Sequence, residues 1–182
     1  MVRKAVFLDR DGVLNIPIIK DGKSFAPRKF KNFKIYPSVK KYCSLLKKKN
    51  FKLVVVTNQP DLGDGTIKKS EFKKMSDKLI NYLGIDEINV ALSRSPKSLL
   101  KKPNSGMLLR SIKKNNFDVK KCFLIGDRWS DIQAASNIGC KSIFIDRKYK
   151  EPMPNQQIAT VRSFNRAVEI ILKKYNNKLI KK

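Results

Sequence analysis

The sequence predicts an α/β protein: a single doubly wound, mostly parallel sheet with helices on both faces. Three observations predict it. Short apolar runs alternate with amphipathic segments along nearly the whole 182-residue chain, as they do where strands are joined by helical crossovers. The runs are continuous, as in Leu53-Val54-Val55-Val56, so these strands are covered on both faces. Polar clusters come directly after three of the runs: Asp9 and Asp11, Thr57-Asn58-Gln59, and Asp127 with Asp131. In open parallel sheets ligands sit beyond the carboxyl ends of the strands, so the three clusters are expected to meet in one crevice.

Residues 5–8 form the first strand. Residues 15–36, with Pro17, Gly22 and Pro27, read as a long loop, which inside a compact domain is a functional flap rather than filler. Pro37 suits the first residue of a helix that carries Val39, Tyr42, Cys43, Leu45 and Leu46 on one side. Residues 53–56 are a buried strand. After a loop with Gly63 and Gly65, a helix spans 68–82 and a strand 88–92. Asn104 or Ser105 can cap a helix reaching about residue 114. A strand over 122–125 ends at Gly126-Asp127, and a helix over 130–137 stops at Gly139. A strand over 142–145 and a helix over 164–174 complete the domain. Residues 1–175 are read as one domain and 176–182 as a basic, frayed tail.

Composition narrows the chemistry. There is no histidine, which excludes histidine general bases, Ser-His-Asp triads and His-ligated zinc. Cys43, Cys122 and Cys140 are few, odd in number and widely spaced. That pattern fits a reducing compartment and core packing rather than a disulfide framework. No apolar run approaches a membrane span and no signal-peptide pattern opens the chain, so a cytoplasmic protein without membrane contact is expected. The formal net charge is +26, from 41 Lys and Arg against 15 Asp and Glu. Lysines crowd what read as helix surfaces, such as Lys47-Lys48-Lys49. The charge therefore reads as a lysine-rich surface serving an anionic substrate, with nonspecific polyanion binding as a by-product. Nothing in the sequence sets the oligomeric state.

The most informative segment is Val6-Phe7-Leu8-Asp9-Arg10-Asp11-Gly12. Two carboxylates just past a strand end, with a glycine turn behind them, can converge on one ligand. Such a pair favours a hard divalent cation, above all Mg2+, and a carboxylate can attack phosphorus to give an aspartyl-phosphate.

With Val55-Val56-Thr57-Asn58-Gln59, Lys102-Pro103 followed by Gly106-Met107, and Ile125-Gly126-Asp127-Arg128-Trp129-Ser130-Asp131, the chain resembles the haloacid-dehalogenase-like phosphohydrolases over roughly residues 5–172. Within them it is similar to the histidinol-phosphate and heptose-bisphosphate phosphatase branch. No cap domain is evident between the first two motifs. The resemblance implies that Asp9 is the nucleophile and Asp11 the general acid and base. It implies that Thr57 and the Asn58 amide bind phosphoryl oxygens and that Lys102 neutralises charge beside the nucleophile. Mg2+ would be held by Asp9, Asp127 and the Asp11 carbonyl, with Asp131 supporting the metal. Asn15, Arg28, Gln59, Lys101 and Arg128 are the candidates for contacting the rest of the substrate.

The substrate this implies is a small phosphorylated sugar, heptose 1,7-bisphosphate first, losing its 7-phosphate. Histidinol phosphate and a polynucleotide 3′-phosphate are the alternatives within the superfamily, and a polyanion binder that has lost catalysis is the reading outside it. One departure stands out. The branch commonly binds zinc through cysteines and a histidine just before the lysine motif. Here residues 92–101 carry neither, so no structural zinc is expected. Packing of Leu99 and Leu100 is expected to hold that loop.

Overall fold

The computed structural model describes residues 3–179, with side chains through Tyr175. Six parallel strands form the central sheet: β1 (Ala5–Leu8), β4 (Lys52–Asn58), β5 (Glu87–Ala91), β6 (Phe123–Gly126), β7 (Lys141–Ile145) and β8 (Ala159–Val161), in the order β5-β4-β1-β6-β7-β8. The doubly wound architecture is as expected. β1 lies at the centre, with Leu8 beside Val55 on one flank and Ile125 on the other. The carboxyl ends of β1, β4 and β6 are therefore adjacent.

The apolar runs are continuous because each strand faces a helical layer on both sides. Val6 and Leu8 join one core with Leu53 and Val55. Ala5 and Phe7 join the other with Val54 and Val56. Helices α1 (Val39–Lys48), α3 (Lys69–Leu83) and α6 (Phe164–Leu179) cover the first face. They do so through Val39, Cys43 and Leu46, Met75 and Leu79, and Ala167, Val168 and Ile171. Helices α4 (Gly106–Asn115) and α5 (Trp129–Ser136) cover the second through Met107, Leu108, Ala134 and Ala135. The three cysteines are free and buried. Burial pushes the thiol of Cys43 up to about 12 and that of Cys122 up to about 11. No helix among the described residues is long and apolar enough to cross a membrane.

The long loop is not structureless. It holds an antiparallel hairpin, β2 (Ile18–Lys20) and β3 (Lys23–Phe25), and a 3-10 turn over Phe30–Asn32. Asp21 and Gly22 both take positive φ, 52° and 77°, the geometry of a two-residue hairpin turn for which Asp-Gly is a favoured sequence. The signal was present but short, because the flanking strands have only three residues each. Two other short elements, α2 (Pro60–Gly63) and the edge strand β8, also escape a periodicity reading. α1 starts at Val39, two residues after Pro37. Neither Asn104 nor Ser105 caps α4 with its side chain: the Ser105 hydroxyl donates to the Ala134 carbonyl, and the Asn104 amide to those of Pro96 and Ser98. α6 runs to Leu179, five residues past its expected end, and positions 180–182 of the expected tail lie outside the described residues.

The loop over 92–101 is held differently from the expectation. Leu99 is 77 % exposed, and only Leu100 packs on the core. Polar bonds hold it instead. The Asn58 amide pairs with both main-chain groups of Lys102, each at 3.0 Å. Arg94 forms ion pairs with Asp61 and Asp64. The apolar expectation holds for Leu100 and fails for Leu99, which the loop leaves facing solvent.

Candidate active site

Asp9 sits one residue beyond β1, Thr57 near the end of β4, and Asp127 one residue beyond β6. Asp131 lies in the first turn of α5. Strand adjacency brings the first three together, and the start of α5 directly after β6 adds Asp131. One carboxylate oxygen from each of Asp9, Asp127 and Asp131 lies within 4.8 Å of the others, and all three residues are buried. Lys102, between β5 and α4, reaches this group with its ammonium. It donates to Asp9 Oδ1 at 2.5 Å, Asp131 Oδ1 at 2.5 Å and the Val56 carbonyl at 2.7 Å, which uses all three of its protons.

Three buried carboxylates face one ammonium, and the charge does not balance. Burial pushes the Asp9 carboxyl up to about 6; Asp131 and Asp11 add to the rise and Lys102 opposes it. Burial and then the charges of Asp9 and Asp131 raise Asp127 well above the carboxylate range. Burial works against the Lys102 charge, yet Asp131 and Asp9 hold it above the ordinary lysine value. Both Asp127 side-chain oxygens are buried without a hydrogen-bond partner, while Asp131 commits Oδ1 to Lys102 and Oδ2 to the Arg128 main-chain amide. Unpartnered buried carboxylate oxygens beside a negative cluster fit a hard divalent cation.

Gly12 makes room for this arrangement. Its φ is +93°, and a Cβ there would lie 1.8 Å from Asp127 Oδ2 and 2.7 Å from the Tyr149 hydroxyl. Gly12→Ala is expected to cost about 2 kcal/mol of stability through backbone strain. It should lower metal affinity by roughly 10–100-fold by displacing Asp127. Chemical denaturation and Mg2+ titration check the two effects separately.

Asp11 lies beside the group rather than in it. Its carboxylate accepts from Arg10 (shortest 2.8 Å), from Asn15 Nδ2 at 2.9 Å and from Gln59 Nε2 at 2.8 Å. Gln59 also donates to Thr57 Oγ1 and accepts from Arg10. One polar network thus ties the first strand end to the second. Arg10, 1 % exposed and flanked by the Phe33 and Phe72 rings, was absent from the expected site. Its position between the two aspartates was the available signal.

A cleft of about 250 Å³ opens over these groups, and Lys23, Ser24 and Phe25 of the hairpin wall it. Asn58, Gln59 and Arg128 line it too, with Arg128 ion-paired to Glu151. Three expected substrate contacts do not reach it. Asn15 is fully buried behind Asp11. Arg28 turns outward onto Asp61, and Lys101 donates to the Arg94 carbonyl. Arg94 and Asp61, unmarked in the sequence, line the cleft instead.

This is a parallel α/β domain with an acid-rich site at the carboxyl ends of its central strands. The model of the HAD-hydrolase-like family matches residues 99–158. The chain is 30% identical over 155 residues to the D-glycero-alpha-D-manno-heptose-1,7-bisphosphate 7-phosphatase of Campylobacter jejuni, covering 83% of this chain and 87% of that one. It is 31% identical over 152 residues to the bifunctional histidine-biosynthesis protein of Bacteroides fragilis, covering 80% of this chain; the chain spans 40% of that protein's length. Among solved structures, the D,D-heptose 1,7-bisphosphate phosphatase of B. bronchiseptica, complexed with magnesium and phosphate, superposes with a TM-score of 0.80. The match is at 21% identity and covers 95% of this chain and 99% of that one. The chain belongs to the haloacid-dehalogenase-like hydrolase family.

Proposed function

We propose that this chain is a Mg2+-dependent phosphatase acting on a sugar phosphate, heptose 1,7-bisphosphate, at its 7-phosphate. The observation that carries the chemistry is the buried Asp9–Asp127–Asp131 group with Lys102 bonded to Asp9. The Campylobacter relative, matched over most of both chains, points to the substrate. Asp9, with Oδ1 fixed by Lys102, attacks phosphorus and becomes the aspartyl-phosphate. Asp11 gives its proton to the departing alkoxide and takes one from the water that cleaves the acyl phosphate. Thr57 and the Asn58 amide bind phosphoryl oxygens. Asp9, Asp127 and the Asp11 carbonyl, with Asp131 in support, would hold Mg2+, which would supply positive charge for a phosphate dianion beside these acids. Lys23 lines the cleft without an ion pair among the described residues, and Arg94 and Arg128 would exchange their Asp61, Asp64 and Glu151 partners for a second phosphate.

The bifunctional relative favours histidinol phosphate as a second reading. Phosphate release with Mg2+ from heptose 1,7-bisphosphate, histidinol phosphate and a 3′-phosphorylated oligonucleotide tests all readings together. A dominant rate on the bisphosphate is expected. A dominant rate on either other substrate replaces the assignment, and no release from any, with Mg2+ bound, removes the enzymatic reading.

Metal binding should be proton-linked. Asp9 and Asp127 have raised values in the metal-free fold, so between about pH 4 and 6 the native state holds more protons than the unfolded chain. These two groups therefore oppose folding increasingly as pH rises through that window. A cation displaces those protons. The rise in Tm on adding Mg2+ is expected to grow from about pH 4.5 to about pH 7, as read by thermal melts in Mg2+ and in EDTA. A pH-independent increment would show that these carboxyls do not hold the metal.

A further inference from the structure

The opposite end of the sheet carries a second polar cavity. It has a volume of about 620 Å³ and is lined by Arg3, Lys4, Asn50, Lys52, Asn115, Phe117 and Tyr175. Three of these are cationic, two are amides, two are aromatic and none is acidic. Lys4 immediately precedes β1, so the cavity lies at the amino ends of the strands, separated by the length of β1 from Asp9.

Lys4 is the unusual member. It is only 5 % exposed, and its ammonium lies 4.4 Å from the centre of the Phe51 ring and 3.3 Å from that of Tyr175. The other buried lysine among the described residues, Lys102, has two carboxylates. Lys4 has no ion pair or hydrogen bond from its ammonium among the described residues. Aromatic faces attract a cation without neutralising it or accepting its protons in the way an oxygen does. Lys52 already pairs with Asp86, and Arg3 is exposed, with one nitrogen donating to the Asn115 carbonyl, so Lys4 is the cavity's buried cation without an anion among the described residues. A buried ammonium without an anion, in a cavity without an acid, has room for one.

We propose that this cavity is an anion site for a phosphate group, with Lys4 as its principal contact and Arg3 and Asn50 as supporting donors. It is independent of the catalytic reading. The phosphate can come from a small molecule or from a nucleic-acid backbone, and the test separates these.

Calorimetric titration of inorganic phosphate, adenosine 5′-monophosphate and a short single-stranded oligonucleotide is run on the full chain in EDTA, where the acid-rich site repels anions. Lys4→Met keeps the apolar stem and removes the charge, and Lys113→Met removes the same charge from an exposed helix face. Lys4→Met is expected to weaken phosphate binding about tenfold or more, with Lys113→Met binding as the unaltered chain and catalytic turnover unchanged in both. Tighter oligonucleotide binding with the same Lys4 dependence assigns the site to a nucleic-acid backbone; tighter monophosphate binding assigns it to a small molecule. Equal binding by the two variants overturns the proposal. If Lys4→Met does not fold, phosphate titration of the unaltered chain followed by the NMR signals of the Phe51 and Tyr175 rings decides it. Shifts confined to these rings and their neighbours support the site, and unmoved rings overturn it.

Discussion

Asp9→Asn should reduce phosphate release by roughly 10⁴-fold or more, the scale seen when a catalytic nucleophile is removed, and should leave the fold intact. Its stability outcome is the more discriminating half. Breaking a buried ion pair from one side ordinarily costs several kcal/mol, because it strands the other charge. Here Lys102 retains Asp131 Oδ1 and the Val56 carbonyl, and one of three crowded carboxylates disappears. In EDTA the melting temperature of Asp9→Asn is therefore expected to equal or exceed that of the unaltered chain, while the stabilisation by Mg2+ shrinks. A large loss of stability in EDTA would mean that the Asp9–Lys102 pair is structural. Retained turnover would remove Asp9 as the nucleophile.

Lys102→Met should behave in the opposite way. Among the described residues its ammonium is the only cation bonded to both Asp9 and Asp131, and the residue is 4 % exposed. Removing it leaves Asp9, Asp127 and Asp131 facing one another without that counter-charge, a change expected to cost about 3–5 kcal/mol in EDTA. Mg2+ should recover much of that stability, since a divalent ion replaces the lost charge, but turnover should stay lost because Asp9 Oδ1 loses its hydrogen bond. Urea denaturation with and without Mg2+, beside the phosphate assay, reads all three effects. Equal destabilisation by Asp9→Asn and Lys102→Met in EDTA would contradict the charge imbalance on which both expectations rest.

The acids of the candidate site were legible because they are local. Each stands just after an apolar run, and a parallel sheet presents the residues beyond its strand ends to a common crevice. The direction of the longer side chains was not legible. Lys101 and Arg28 stand at positions suited to substrate contact, yet each meets a nearer acceptor, the Arg94 carbonyl and Asp61. Asn15 reads as a candidate substrate ligand; in the fold its amide is turned onto the Asp11 carboxylate four residues earlier. Arg94 and Asp61 carry no local mark, since each is placed by a partner 33 residues away in the chain.

By itself, then, the sequence determined the α/β class, the buried strands, the free cysteines and the acids at the strand ends, all of which depend on periodicity and on residues adjacent in the chain. The tertiary structure decided what depends on distant segments. It set the strand order that places β1 between β4 and β6, and the pairing of Lys102 with an aspartate 93 positions away. It set the hairpin over the cleft and the cavity around Lys4. Period and propensity are properties of a few neighbouring residues, whereas a side chain's partner is chosen by every segment the fold brings within its reach.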